Sequence, residues 1–283
     1  MAGTAEVVTS MDKRPGATYQ VLVPNEKGLE SVLSLLAAHP DKPPIDEIAV
    51  FTAATDAFSI ANTNVSVADS LKRLARVVQG ARNRGIRVRG YVSVVITCPY
   101  SGKVDYKRVR DVTKELLDMG CYEVSLGDTT GTGNPTSVGE MLNATLGANP
   151  VERLAGHVRS QPSASHRPSQ TKWHAHILHL QFHDTFGMGV ANSMAALSAG
   201  IRTLDCSIAG LGGCPYSPGA TGNVATEDVL YALQDSPYSA PGDLEALVDV
   251  GFWISEKLGR DNSSRVAKAV RARRERQKAK AKL

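Results

Sequence analysis

The stretch YEVSLGDT, residues 122–129, sets the fold class of this chain. An apolar-rich run ends in a small polar turn, and a helical pattern then extends from about Thr136 to Leu146, with Pro135 near its first turn. Proline is favoured there because the first turn of a helix leaves its N–H groups unpaired in any case. A buried-looking strand followed by a helix is the repeating unit of parallel α/β folds.

The same strand–helix pair recurs six times along the chain. Strands are predicted at 19–24, 48–53, 88–96, 122–129, in the segment that ends at FHDTFG (182–187), and at 202–210. Helices are predicted at 27–38, 67–83, 106–119, 136–146, 189–200 and 226–234. This alternation indicates either a doubly wound sheet or a TIM barrel.

Two features favour the barrel. The first βα turn has no G-x-G-x-x-G, and polar residues follow the predicted strand ends, where barrel enzymes carry their chemistry. Those residues are Asn62, Asn64, Ser93, Asp128, His183, Asp184 and Cys214. We therefore predict an α/β fold, an incomplete TIM (β/α) barrel with about six of the eight βα units and a helical C-terminal extension.

The composition argues against several classes of function. Of the 283 residues, 42% are hydrophobic and 21% are charged, as in a globular protein. Only 5% are aromatic, which argues against a protein built to stack nucleobases. No apolar run approaches the roughly 20 residues of a membrane helix. We therefore expect neither nucleic acid nor a membrane as a partner, and four cysteines without a C-x-x-C favour a reducing compartment.

The formal charge of +4 is unevenly distributed. Residues 263–283 contain nine Lys or Arg and one Glu, which is +8, so the rest of the chain is −4. A basic tail of this kind is either a binding segment for anionic surfaces or a solvated, frayed helix. We favour the solvated helix.

The glycine-rich stretch GLGGCPYSPGATGN, residues 210–223, contains a candidate reactive group. Its glycines permit positive φ angles and close backbone approach. Three interpretations stay open: a flexible loop, a phosphate cradle, or a loop that holds a reactive Cys214. The stretch lacks the GK[ST] ending of a P-loop, and Pro215 would restrain the cysteine.

Six of the seven histidines fall between His157 and His183. His183 follows a strand, and the density of histidines makes it either a structural residue or a metal ligand. Ser125 and Asp128 end the preceding strand. Asp128 either closes a turn or orients a metal ligand.

Four stretches carry a resemblance to one enzyme family. They are RGYVSVVITCPYSGKV (89–104), MGCYEVSLGDTTGTGNP (119–135), HDTFGMGVANSMAAL (183–197) and AGLGGCPYSPGATGNVATEDVLYAL (209–233). From about Tyr19 to Ala267 the chain resembles 3-hydroxy-3-methylglutaryl-CoA lyase, and less closely the related metal-dependent synthases. The resemblance implies a retro-Claisen cleavage of this CoA thioester to acetyl-CoA and acetoacetate, assisted by Mg²⁺ or Mn²⁺.

The resemblance also assigns roles to residues. Cys214 matches the loop cysteine that helps to protonate the product carbanion. Asn223 matches a metal ligand, and His183 matches the second His of the family's H-x-H. Three residues match substrate-pocket positions, namely Asn62, Tyr91 and Ser125. Asp128 and Asp184 would support the metal ligands.

Two departures from the family matter. No R-D-G occurs in the sequence, although the family's first strand ends in R-D-G-x-Q, whose Asp ligates the metal and whose Arg stabilises the enolate. We therefore expect the first two βα units to be absent and turnover to be far below that of a normal enzyme. The alternatives are a non-catalytic barrel remnant that binds a CoA thioester or a partner subunit, and a related synthase.

The second departure is Gln181, which stands where the family has the first His of H-x-H. The segment LAGH, ending at His157, would restore a normal family strand if FHDTFG followed it directly. Residues 158–181 are therefore predicted to be an insert, with His157 as a metal ligand. Alternatively, HILHLQFHD supplies the strand and places His179, Gln181 and His183 on one face.

The predicted organisation is an irregular segment at 1–18, a partial lyase barrel at 19–262 that contains the insert, and the basic tail at 263–283. Open sheet edges favour a homo-oligomer, most simply a dimer. The resemblance implies a mitochondrial location, and the C-terminal Ala281-Lys282-Leu283 resembles a peroxisomal signal.

Overall fold

The computed structural model describes residues 3–147, 178–217, 219 and 221–281. Its main strands are β1 (Gln20–Leu22), β2 (Glu47–Ala53), β3 (Arg87–Ser93), β6 (Glu123–Asp128), β7 (Leu178–Phe182) and β8 (Thr203–Asp205). They form one parallel sheet in the order β1-β2-β3-β6-β7-β8. A separate antiparallel hairpin pairs β4 (Thr97–Cys98) with β5 (Gly102–Lys103).

Helices follow the strands and cover one face of the sheet. They are α1 (Thr4–Ser10), α2 (Glu26–Ala38), α3 (Asp56–Thr63), α4 (Val67–Arg82), α5 (Tyr106–Met119), α6 (Pro135–Leu146), α7 (Gly189–Ser198), α8 (Thr226–Leu233), α9 (Leu244–Leu258) and α10 (Arg265–Lys280). Polar side chains begin several of them: Asn25 accepts from the N–H of Gly28, and Ser66 accepts from that of Asp69. These caps satisfy N–H groups that a helix leaves unpaired.

The sheet is curled. Arg89 Nη1 of β3 reaches Asp205 Oδ1 of β8 at 3.3 Å, although β6 and β7 lie between them. In a flat sheet, three strand spacings would separate the two strands by about 14 Å. The contact therefore crosses the concave face of a partial barrel.

The two faces of the sheet differ in polarity. Gly90 marks the convex face, because a Cβ there would lie 3.1 Å from a leucine side chain of α5. Val88 and Val92 share that face by alternation, and each is 1% exposed. Arg89 and Tyr91 occupy the opposite, concave face. The hydrophobic core therefore lies between the sheet and the helices, and polar side chains lie on the concave face.

All six predicted strand–helix pairs are present, which confirms the α/β barrel-type fold class. The strand predicted at 88–96 ends earlier, at Ser93, because Val94 adopts a positive φ of 55°. The segment predicted to be irregular at 1–18 contains α1. That expectation was wrong there: Val8 is 8% exposed and joins the core, a tertiary contact that a local pattern does not reveal.

The basic tail is helical but does not fray at its start. The Asp228 carboxylate accepts the Ser264 hydroxyl (2.6 Å) and the N–H groups of Arg265 (3.2 Å) and Val266 (2.9 Å). Together, α9 and α10 bear out the predicted helical C-terminal extension.

Residues 178–181 of the predicted insert form most of β7, so the alternative in which HILHLQFHD supplies the strand holds for this part. Residues 148–177, including His157, lie outside the described residues. The outer strands of the described sheet are β1 and β8, each of three residues. Among the described residues, no helix is both long and apolar enough to span a membrane.

Candidate active site

A pocket of about 470 Å³ opens at the carboxyl ends of the strands. It brings together three predicted site residues that are far apart in the sequence, namely Asn62, Tyr91 and Cys214. The other residues of its lining are Gln20, Leu22, Ala49, Phe51, Ser93, Gln181, Gly213, Pro215 and Tyr216. A concave site with apolar walls and a few converging polar groups suits an organic ligand.

Cys214 stands on a loop that we call the cysteine loop (residues 210–223). The loop is entered through a left-handed turn, with φ of 56° at Ala209 and 63° at Gly210. Both oxygens of the fully buried Glu227 carboxylate accept the N–H of Ala209, at 3.0 and 3.1 Å. Burial raises the pKa of this carboxyl group. The side chain of Glu227 thus fixes where the loop begins.

Two more hydrogen bonds restrain the cysteine loop. Asn223 Nδ2 donates to the carbonyl of Leu211 at 2.9 Å. The hydroxyl of Tyr100, in the β4–β5 hairpin, donates to the carbonyl of Tyr216 at 3.0 Å. The free, half-buried thiol of Cys214 is thereby held in the lining of the pocket.

His183 and Asn223 lie side by side, paired as an antiparallel bridge. His183 is 5% exposed, and burial lowers its pKa, so its imidazole is neutral near pH 7. Its Nδ1 is buried and has no hydrogen-bond partner among the described residues. Gln181 Nε2 donates to Asn223 Oδ1 at 2.9 Å. Three of the chain's polar side chains therefore meet at the end of β7.

These donors fit part of a divalent-cation site. A neutral imidazole with an unpartnered nitrogen and a carboxamide oxygen are both metal ligands. Mg²⁺ and Mn²⁺ also favour carboxylates, and in the part of the chain that the structure describes no cluster of three or more His, Cys, Asp or Glu side chains could hold a metal. The candidate ligands that the described residues bring together here are therefore all neutral side chains.

The carboxylates of Asp128 and Asp184 accept hydrogen bonds from the turns that follow their strands. The Asp128 carboxylate accepts the N–H of Gly133 (2.8 Å) and the hydroxyl of Thr130 (3.3 Å), and burial raises its pKa. Asp184 Oδ1 accepts the N–H of Gly189 at 2.7 Å, at the start of α7. Both carboxylates therefore hold the backbone of a βα turn. For Asp128, closing a turn was one of the two roles considered from the sequence.

Ser125 does not line the pocket. It is fully buried and donates to Asp205 Oδ2 at 2.7 Å. Asp205 also contacts Arg89, which pairs with Glu123, and Glu123 Oε2 lies 2.6 Å from His179 Nε2. We call the concave-face cluster of Arg89, Glu123, His179 and Asp205 the polar floor.

Sequence reasoning missed Arg89, Glu123 and Asp205 of the polar floor and also Gln20, whereas His179 was placed on one strand face with Gln181 and His183. The signal was available for Arg89, which lies two positions before Tyr91 and so shares its face of β3. It was not available for Asp205 or Gln20, because only the curl of the sheet brings them to Tyr91.

A curled parallel sheet with helices outside and this pocket at its carboxyl edge defines a barrel-type α/β protein. The family model described as HMGL-like matches residues 14–158 and 164–254. The chain therefore belongs to the HMGL-like family.

Named relatives agree with this assignment. The chain is 46% identical over 273 residues to the 3-hydroxy-3-isohexenylglutaryl-CoA/hydroxy-methylglutaryl-CoA lyase of Pseudomonas aeruginosa, covering 96% of this chain and 80% of that protein. It is 41% identical over 270 residues to the mitochondrial hydroxymethylglutaryl-CoA lyase of Bos taurus, covering 95% and 73%. The crystal structure of hydroxymethylglutaryl-CoA lyase from Pseudomonas aeruginosa superposes with a TM-score of 0.80 at 44% identity, covering 96% and 80%.

The similarity to lyases extends over nearly the whole chain. It gives no support to the expectation of an inactive remnant, which rested on the lack of an R-D-G motif. The roles assigned to single residues stay predictions.

Proposed function

We propose that this chain is a carbon–carbon lyase that cleaves 3-hydroxy-3-methylglutaryl-CoA into acetyl-CoA and acetoacetate. One observation carries the proposal. Cys214, Tyr91 and Asn62 line a single pocket in a chain that is 46% identical to a protein named as a lyase of this substrate class.

The reaction requires two proton movements and one bond cleavage. A base removes the proton of the C3 hydroxyl, the C2–C3 bond breaks, and C3 becomes the ketone of acetoacetate. The electron pair of the broken bond remains on C2 as the enolate of acetyl-CoA. A proton delivered to C2 completes acetyl-CoA, so protons and charge balance over the cycle.

Each pocket residue has a task in this scheme. Cys214 donates the proton to C2, a step for which a thiol in the pocket lining is suited. The Tyr91 hydroxyl donates a hydrogen bond to a substrate oxygen, and Asn62 contacts the substrate from α3. Ser125, buried against Asp205, acts on the shape of the site through that carboxylate.

We infer that Mg²⁺ or Mn²⁺ is the cofactor and that His183 and Asn223 are two of its ligands, with His157 as a further candidate. When bound, such a cation polarises the hydroxyl and carbonyl oxygens of the substrate. The hydrogen bond from Gln181 uses one of the two lone pairs of Asn223 Oδ1 and leaves the other for a cation. His183 Nδ1 also has an unused lone pair for a cation, because it has no partner among the described residues.

Metal binding can be tested without turnover. Mn²⁺ titration followed by electron paramagnetic resonance should show a site whose affinity falls about tenfold or more in His183→Ala and in Asn223→Ala. His39→Ala, which alters an exposed histidine at the end of α2, is the matched control. Equal Mn²⁺ affinity in all four proteins would contradict the ligand assignment.

The function is tested by incubating the purified chain with 3-hydroxy-3-methylglutaryl-CoA and Mg²⁺ and measuring both products by mass spectrometry. We expect acetyl-CoA and acetoacetate in equal amounts, abolished by EDTA. Binding without product would instead favour the non-catalytic alternative. Product formation only when acetyl-CoA and a keto acid are supplied would favour a synthase.

The location and assembly are also proposals. The mitochondrial relative supports a mitochondrial location, which a fluorescent fusion protein would test by microscopy. A homodimer is proposed because β1 and β8 are the outer strands of the described sheet, and light scattering at several concentrations tests it.

A further inference from the structure

The polar floor contains one residue that contacts several others at once. Arg89 pairs with Glu123, and its Nη1 lies 3.3 Å from Asp205 Oδ1 and 3.3 Å from the Tyr91 hydroxyl. The arginine side chain is 15% exposed, and it does not line the pocket. It is therefore placed to act on a ligand through the groups it contacts.

The contacts of Tyr91 fix the direction of its hydroxyl proton. The oxygen accepts from Arg89 Nη1 at 3.3 Å and from Gln20 Nε2 at 3.0 Å. Neither nitrogen can accept a hydrogen bond from the Tyr91 hydroxyl, because guanidinium and carboxamide N–H groups only donate. The hydrogen of Tyr91 is therefore left for a third partner, and Tyr91 faces the pocket.

The nitrogen that contacts Tyr91, Arg89 Nη1, is also linked to Ser125 through Asp205. Asp205 Oδ1 faces Arg89, and Asp205 Oδ2 accepts the Ser125 hydroxyl at 2.7 Å. A single planar guanidinium, with its five donors in a fixed geometry, thus holds both halves of the concave face. A lysine ammonium is a single point and cannot reproduce this arrangement.

We propose that Arg89 is a positioning residue that fixes Tyr91 as a hydrogen-bond donor to an acceptor oxygen of an acyl-CoA ligand. The oxygen is the thioester carbonyl or the distal carboxylate. The identity of the ligand rests on the proposed function. The positioning itself rests on the contacts among Arg89, Tyr91 and Gln20.

The test is a double-mutant cycle on ligand affinity. Glutaryl-CoA is the probe, since it has both acceptor groups but lacks the 3-hydroxyl that cleavage requires. Its affinity is measured by calorimetry with Mg²⁺ for the wild type, Arg89→Lys, Tyr91→Phe and the double variant. Arg87→Lys is the matched control, because Arg87 lies on the same strand and pairs with Glu47 (2.8 Å), away from the pocket.

We expect Arg89→Lys to weaken glutaryl-CoA binding about fivefold to tenfold. In the Tyr91→Phe background the same change should cost less than about twofold, because the hydroxyl it positions is gone. Arg87→Lys should leave affinity unchanged. Turnover should show the loss in KM more than in kcat, which a general loosening of the fold would not produce.

An equal effect of Arg89→Lys in both backgrounds would overturn the proposal, as would unchanged affinity in the single variant. If Arg89→Lys does not fold, the paired change of Arg89→Gln with Glu123→Gln takes its place, since it removes a cation and its anion together. The same cycle and the same outcomes apply to it.

Failure of the proposed function is distinguishable from failure of this inference. Coupled binding of glutaryl-CoA without cleavage of 3-hydroxy-3-methylglutaryl-CoA would overturn the lyase activity alone. Cleavage with additive variants would overturn the role of Arg89 alone. A wild type that cleaves its substrate but does not bind glutaryl-CoA would also overturn the positioning role, and one that neither binds nor cleaves would overturn both.

Discussion

The polar floor and the cysteine loop are held in opposite ways. In the floor, buried and half-buried polar side chains hold one another: Arg89 contacts Glu123 and Asp205, and Glu123 contacts His179. The cysteine loop depends instead on positive φ angles at its entry and at Gly212 and Gly213, and on hydrogen bonds between its backbone and the side chains of Glu227, Asn223 and Tyr100. Tyr91, which lines the pocket, is therefore positioned by a network of side chains, whereas Cys214, the candidate proton donor, lies on a loop that is held by a few hydrogen bonds to its backbone.

This contrast predicts that the two regions fail differently. Substitutions in the polar floor should first lower the affinity for the ligand, because they alter the position of the Tyr91 hydroxyl that contacts it. Changes in the cysteine loop should appear first as lost rate, because they displace a group that acts only during the reaction.

The largest expected effect is that of Cys214→Ser. A serine hydroxyl is a much weaker acid, so we expect kcat to fall about 100-fold or more with an unchanged melting temperature. Steady-state kinetics and thermal unfolding measure the two quantities. Cys206→Ser, at a free cysteine that does not line the pocket, is the control and should retain activity. A Cys214→Ser variant with wild-type kcat would remove the cysteine from the mechanism.

Gly212→Ala tests whether loop geometry sets the rate. Gly212 has φ of 95°, and a Cβ there would lie 2.6 Å from Asn223 Nδ2, so the anchor to Leu211 must shift. We expect kcat to fall about tenfold, since small misplacements of reacting groups carry costs of this order or more.

Gly219→Ala is the matched control for that change. Gly219 belongs to the same loop and also has a positive φ of 80°, but a Cβ there would have no atom of the described residues within 4 Å. Equal loss of kcat in the two variants would mean that backbone strain alone, and not the Asn223 contact, limits the rate.

Tyr100→Phe removes the hydrogen bond to the Tyr216 carbonyl of the cysteine loop without changing the sequence of the loop. The lost hydrogen bond to the Tyr216 carbonyl should make Cys214 react about two to five times faster with a maleimide. Alkylation followed by mass spectrometry measures the rate. The control is Tyr231→Phe, at an exposed tyrosine of α8, which should leave the alkylation rate of Cys214 unchanged. An unchanged rate in Tyr100→Phe would show that the hydrogen bond to the Tyr216 carbonyl does not hold the loop.

The smallest expected effect concerns pH and Glu227. Burial raises the pKa of this carboxyl group above its ordinary value of 4.5, so between that value and the raised pKa the folded state binds more protons than the unfolded state. Stability should therefore fall as pH rises through this window. Denaturant unfolding of Glu227→Gln, which cannot ionise, should show a smaller decline over the same range. An identical decline in both proteins would contradict the assignment.

Much of the fold was predictable from local pattern. The run at 122–129 and the helical pattern after it recur six times, and each recurrence forms a strand and a helix because the apolar residues occur at the matching period. The helix α1 was not predictable, since the short segment carries no strong period and is held by the burial of Val8.

The candidate site was predictable only where it has a local signal. Cys214, His183 and Asn223 lie in distinctive motifs at strand or loop ends, and two of them form a neighbouring pair. Asp205 and Gln20 could not be predicted, because their contacts with Ser125 and Tyr91 cross the curl of the sheet between strands that are not neighbours. Ser125 was predicted to meet the substrate, yet it is buried against Asp205.

The central claim is that cleavage in this pocket leaves an acetyl-CoA enolate that takes its proton from an exchangeable group. It is tested most directly by running the reaction on 3-hydroxy-3-methylglutaryl-CoA in D₂O and examining the methyl group of acetyl-CoA by mass spectrometry. We predict one deuteron per molecule of acetyl-CoA formed, with product formation greatly slowed in Cys214→Ser. Acetyl-CoA without deuterium, or no acetyl-CoA above an enzyme-free blank, would contradict the account.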